Sequence, residues 1–118
     1  MFDRNFRYSK YSDFFDLQGN NVMKLTTEAA KDVCRYSYEK SYIVSRIEGG
    51  IWHNPEFEMR LDCIWDRVEE LNTSPELTSK KAIDFIEESS EHDVFIVSLQ
   101  PIWHFCFIWL WSLGFCFQ

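Results

Sequence analysis

Two strand-like runs meet at Ile47-Glu48-Gly49-Gly50-Ile51-Trp52-His53-Asn54-Pro55-Glu56-Phe57, and no other stretch constrains the fold as much. Paired glycines lack a Cβ, so they tolerate positive φ or the close approach of a second backbone. Asn54-Pro55 adds a second turn signal, because the residue before a proline is driven out of the helical region. The chain therefore doubles back here, with Trp52 held between two sets of turn residues. Gly49, Gly50, Asn54 and Pro55 read as the residues that shape the loop. Two roles compete for Trp52: a ring tucked onto the core, or a ring offered to a partner.

The flanks support a hairpin. Tyr42 to Glu48 is rich in β-formers, and Phe57 to Asp66 alternates. Phe57, Met59, Leu61, Cys63 and Trp65 fall on one side, with Glu58, Arg60, Asp62 and Asp66 on the other. That pattern predicts one face on the core and one turned to water or a partner. Upstream, Thr26 is a suitable N-cap for a helix fading near Lys40, with Ala29, Ala30, Val33, Cys34 and Ser37 on one stripe. Downstream, Ser74-Pro75-Glu76 opens a second helix that points Leu77, Thr78, Ala82, Phe85, Ile86 and Ser89 inward. Its C-terminal half is acidic, through Asp84, Glu87, Glu88 and Glu91. Val94 to Leu99 is a further strand. The order helix–strand–strand–helix–strand predicts an α+β fold: a small, mainly antiparallel sheet with two helices packed on one face.

Residues 1–22 have no clear period and end in a loop at Gly19-Asn20-Asn21. They carry as many basic as acidic side chains, and 101–118 carry no charge, so the whole formal charge of −7 lies within 23–100. An acidic body argues against direct nucleic-acid binding, which needs Lys and Arg against phosphates. It suits a basic partner, or simply solubility. Cys34, Cys63, Cys106 and Cys116 form no close CxxC pair, and no secretory signal opens the chain; reduced thiols in the cytoplasm are expected. His53, His92 and His104 have no metal-ligand spacing, so no metal or other cofactor is predicted. No catalytic signature is present, and Glu48, His53 and Asp62 have no spacing that supports an acid–base set. The chain does not read as an enzyme.

The tail Pro101 to Gln118 is apolar and rich in aromatic residues. Three readings compete for it: extra core packing, a membrane-touching tail that would make this a small membrane-associated protein, or an extension outside the selected domain. Pro101 and the strand-like run before it argue against one continuous membrane helix, and no Lys or Arg flanks it.

Met23-Lys24-Leu25-Thr26, Ala29-Ala30, Val33-Cys34, the Gly-Gly-x-Trp-x-Asn-Pro-x-Phe block, Ala82-Ile83 and Phe95-Ile96-Val97-Ser98-Leu99 follow one another in a familiar order. Together they resemble the immunity protein of the E-group colicin that cleaves tRNA anticodons. The resemblance covers residues 23–100 and leaves 1–22 and 101–118 outside. It implies a cytoplasmic inhibitor that fills the RNA cleft of a basic ribonuclease domain and stands in for the anticodon. Such a mimic needs carboxylates at phosphate-like spacing and a planar side chain for a base slot. Glu48, Asp62, Asp66, Glu69 and Glu70 are the candidate carboxylates. Trp52 and Trp65 are the candidate rings; Trp65, in phase with Phe57 and Leu61, has a core role as its competing reading. The segment Asp66 to Thr73 departs from the family, which leaves open a different toxin or an orphan homologue with none.

Overall fold

The computed structural model describes residues 2–54, 56–66 and 74–102. Its elements run β1 (Arg7–Tyr8), α1 (Tyr11–Asp16), β2 (Lys24–Leu25), α2 (Thr27–Tyr36), β3 (Tyr42–Trp52), β4 (Phe57–Asp66), α3 (Pro75–Glu88) and β5 (Val94–Pro101). The sheet order is β1-β2-β5-β3-β4; β1 and β2 are parallel and every other neighbouring pair is antiparallel. This is the predicted α+β architecture, enlarged at one edge.

Each long helix begins where its cap was read. Thr26 Oγ1 accepts the Ala29 N–H at 3.2 Å, and Ser74 Oγ accepts the Leu77 N–H at 3.2 Å with Pro75 next in the chain. Each cap satisfies an N–H that the first helical turn leaves free, worth about 1 kcal/mol. A single 3-10 turn, Tyr38–Lys40, follows α2, and Ser41 at φ 66° turns the chain into β3. The α2 stripe Ala29, Ala30, Val33 and Cys34 is fully buried against the sheet and α3. From the sheet, Val44 and Ile47 of β3 meet Phe95, Val97 and Leu99 of β5 in the same core.

The N-terminal segment belongs to this fold. Phe14 of α1 is 2% exposed and joins the core, while Thr26 N–H bonds to the Tyr8 carbonyl at 2.9 Å. Strands of two residues and a helix of six are too short to show a hydrophobic period, so sequence patterning had no purchase on them. The predicted Gly19-Asn20-Asn21 loop runs along β5, where Asn20 Oδ1 accepts the Leu99 N–H and Asn20 Nδ2 donates to the Leu99 carbonyl.

Two orientations differ from expectation. Leu77 is 45% exposed, and Ser79 is buried in α3 instead, its Oγ 3.2 Å from Ser37 Oγ. In β4, Met59 and Leu61 are exposed at 45% and 80%. The cause is register: Glu48 pairs with Ile64 but Gly50 pairs with Met59, so Gly49 alone faces Arg60 through Cys63. The excess residues break the alternation, and Phe57 and Trp65 end on opposite faces of the sheet.

Pro101 closes β5, and the Ile102 N–H bonds to the Ser41 carbonyl at 2.9 Å. The tail from Trp103 onward, with Cys106 and Cys116, lies outside the described residues, as do Pro55, Glu69 and Glu70. Among the described residues no helix is long and apolar enough to cross a membrane.

Candidate functional site

Strand geometry decides which candidate groups meet. In β3 the pleat sends Arg46, Glu48, Gly50 and Trp52 to the face opposite Ile47, which lies in the core. Pairing of Arg46 with Asp66 brings β4's last carboxylate onto that same face. There Arg46 Nε donates to Glu48 Oε1 at 2.8 Å and Nη1 donates to Asp66 Oδ2 at 3.1 Å. One guanidinium thus holds two candidate carboxylates in a fixed relation, and the trio keeps one net negative charge. Its hydrogen bond to Glu48, more than its bond to Asp66, holds the Arg46 proton even more firmly than usual. Beside the trio lies a groove of about 390 Å³, lined by Asn20, Asn21, Ser45, Ser98, Leu99 and Gln100 together with Arg46 and Asp66. Replacing Arg46 by Met is expected to lower stability by about 1 kcal/mol and to make the chain one unit more negative; a urea midpoint that does not move would refute it.

Trp52 closes β3, and the loop begins after it. The His53 N–H bonds to the Glu56 carbonyl at 2.7 Å, and Asn54 takes φ 38°, the turn role read for it. Gly49 and Gly50 have another task, because they lie inside β3 and neither adopts a left-handed backbone. Gly49 admits Cys63 Sγ and the Phe95 ring; Gly50 admits the Glu58 carbonyl and the Phe57 ring. They are glycines for close approach.

The Trp52 backbone is held from the β5 side of its strand. Its N–H donates to Asp93 Oδ1 at 2.8 Å, and Arg7 donates to the Asp93 carbonyl at 3.0 Å. The same guanidinium sits 5.8 Å from the centre of the half-buried Trp52 ring. Sequence reasoning missed Arg7, since nothing in residues 1–22 signals that β1 joins the sheet through β2, from where the Arg7 side chain reaches Asp93 ahead of β5.

Next to the loop, His53 Nε2 donates to Glu58 Oε1 at 2.8 Å and Arg60 Nε contacts Glu58 Oε2 at 2.8 Å. The histidine hydrogen bond, with the nearby arginine charge assisting, keeps the Glu58 carboxyl below its ordinary range. His53 is therefore paired with Glu58, not with Glu48 or Asp62. Asp62 is exposed, and among the described residues no ion pair joins it. Trp65 pairs with Ile47 and packs against the core, its competing reading. The structure thus unites Glu48 and Asp66, places Trp52 at the hairpin end of the same face, and leaves Asp62 on the outer strand.

A family model described as Colicin-E5 Imm protein matches residues 23–100. The chain belongs to the colicin-E5 immunity family. Within that family's reach, it is 46% identical over 100 residues to the immunity protein CdiI of Burkholderia pseudomallei, covering 81% of this chain and 91% of that protein. It is 32% identical over 82 residues to the colicin-E5 immunity protein of Escherichia coli, covering 66% of this chain and 99% of that protein. The colicin-E5 immunity protein carried in ColE9 matches at the same identity and extent. As a member of an immunity family the chain is a toxin inhibitor that acts by binding, and it is not an enzyme. The CdiI match spans more of the chain than residues 23–100 alone represent.

Proposed function

We propose that this immunity protein works in the cytoplasm, where it inhibits a toxin nuclease of the tRNA-cleaving kind by occupying its RNA cleft. The observation that carries the reading is the β3–β4 hairpin face. Glu48 and Asp66 are fixed on either side of Arg46, and the Trp52 ring stands at the end of the same strand. Carboxylates held at set positions can take the place of phosphates against the toxin's cations, and an indole can fill a slot built for a base. Toxin cations need not remove Arg46: the trio's remaining negative charge and the acidic body steer a basic domain toward this face.

Two experiments test the proposal. Cells expressing the chain are expected to survive colicin E5 or the toxin countered by the Burkholderia CdiI. Purified chain is expected to stop anticodon cleavage of tRNA by the same nuclease domain at a one-to-one ratio. Trp52→Ala in the purified chain is expected to weaken inhibition at least tenfold, the scale of a lost aromatic anchor. Survival equal to that of cells without the chain, together with undiminished tRNA cleavage, would reject the nuclease reading.

A further inference from the structure

The mismatch between β3 and β4 builds a projecting arch at the outer edge of the sheet. Cys63 is buried with its sulfur against Gly49, in the space where that residue's Cβ would stand. Three residues, Arg60, Leu61 and Asp62, then have no partner in β3 and bow outward between Met59 and Cys63. At the crest Leu61 is 80% exposed, and Asp62 beside it is exposed without an ion pair among the described residues. Arg60 is drawn back to Glu58 at 2.8 Å, so Asp62 supplies the arch's uncompensated charge.

We infer that this arch is a second contact for the toxin nuclease, with Leu61 as the apolar anchor and Asp62 as the carboxylate that pairs with a basic side chain of the toxin beside it. The inference rests on the immunity reading above and deepens it. An apolar side chain held out on an anchored backbone loses little freedom on binding, so more of the energy of burying it is kept as affinity. The anchoring is visible: Cys63 on one side and the Gly50–Met59 pairing on the other fix both feet of the arch. A second copy of this chain is a poor occupant. The irregular register spoils a strand ladder along this edge, and an acidic body of charge −7 repels its own copy. A basic nuclease meets neither obstacle. Because the arch lies beside the Glu48–Asp66 face without belonging to it, partner choice can change here while the anticodon-like groups stay in place.

The test uses the full chain and two purified toxin domains, that of colicin E5 and that of the toxin countered by the Burkholderia CdiI, with binding measured by calorimetry. Leu61→Asp is expected to raise Kd at least 100-fold, Leu61→Ala at least 10-fold and Asp62→Lys at least 10-fold. All three are expected to keep the parent's melting temperature. Leu77→Asp, a change at an exposed leucine on α3, is expected to alter Kd less than twofold. If the parent binds and Leu61→Asp binds within twofold of it, the arch has no such role and the immunity reading stands. An equal loss for Leu77→Asp would overturn the arch in the same way. If the parent binds neither domain, the nuclease reading itself fails and takes the arch with it.

Discussion

Gly50→Ala is expected to destabilise the protein by about 3 kcal/mol or more and to end toxin inhibition with it. The methyl group would overlap the backbone carbonyl oxygen of Glu58 and lie 2.7 Å from Cε2 of the Phe57 ring. A ring can rotate away, but the carbonyl belongs to the paired strand. Relief therefore requires β4 to move off β3, which would disturb the pairs Gly50–Met59, Ile51–Glu58 and Trp52–Phe57 together. Against a total stability of about 5–15 kcal/mol, a loss of this size leaves a substantial unfolded population. Gly49→Ala is the instructive comparison. There the added methyl meets Cys63 Sγ and lies 2.9 Å from the Phe95 ring, both of them side chains. Its expected cost is about 1–2 kcal/mol, and Cys63→Ala in the same molecule is expected to recover part of it. Urea unfolding of the two single variants and the Gly49→Ala/Cys63→Ala double variant measures all three. A Gly49→Ala variant more damaged than Gly50→Ala, or a Gly50→Ala variant that unfolds at the parent's midpoint, would show that the Glu58 carbonyl is not the obstacle at Gly50.

The hairpin, both long helices and the final strand were legible because each rests on a local rule: a cap, a proline, an alternating run. What escaped was not local. In β4 the spacing of Phe57, Met59, Leu61, Cys63 and Trp65 is faultless as an alternation, yet alternation predicts facing only while the ladder stays in step. Gly49 receives Cys63 where a larger residue could not, and that close approach sets the extra length of β4. The signal was present in the paired glycines, but its consequence depended on which strand lay opposite. The site has the same history. Glu48 and Asp66 were chosen as carboxylates for a partner's cations, while Arg46, two residues from one and across the ladder from the other, is the cation they meet in their own chain. Arg7 and Asp93, distant in sequence, hold Trp52 because β1 and β2 extend the sheet beyond β5. Pattern located the hairpin; strand pairing assigned its side chains.

Raising the pH above 9 is expected to weaken the fold by about 1.4 kcal/mol per pH unit through one thiol, Cys34. This residue is wholly buried in α2, and burial pushes its pKa from 9.0 up to about 12, with the charge of Arg35 opposing the shift. The direction follows from proton counts. Below 9 the thiol is protonated in both folded and unfolded chains, so its contribution is fully present and does not vary with pH. Between 9 and 12 the unfolded chain releases the proton while the native chain must keep it, so stability falls as pH rises; the full interval amounts to about 4 kcal/mol. Cys34→Ala is the necessary reference, because it separates this thiol from every other effect of alkali on the fold. The variant lacks the sulfur and is expected to be less stable by about 1 kcal/mol at neutral pH, since packing is lost in the core. It also lacks the thiol's ionisation, so its decline at high pH is shallower and the two stability curves are expected to cross near pH 10. Urea unfolding of both proteins from pH 7 to 11 provides the measurement. Curves that run parallel across that range would show that the buried thiol does not govern the alkaline limit of this fold.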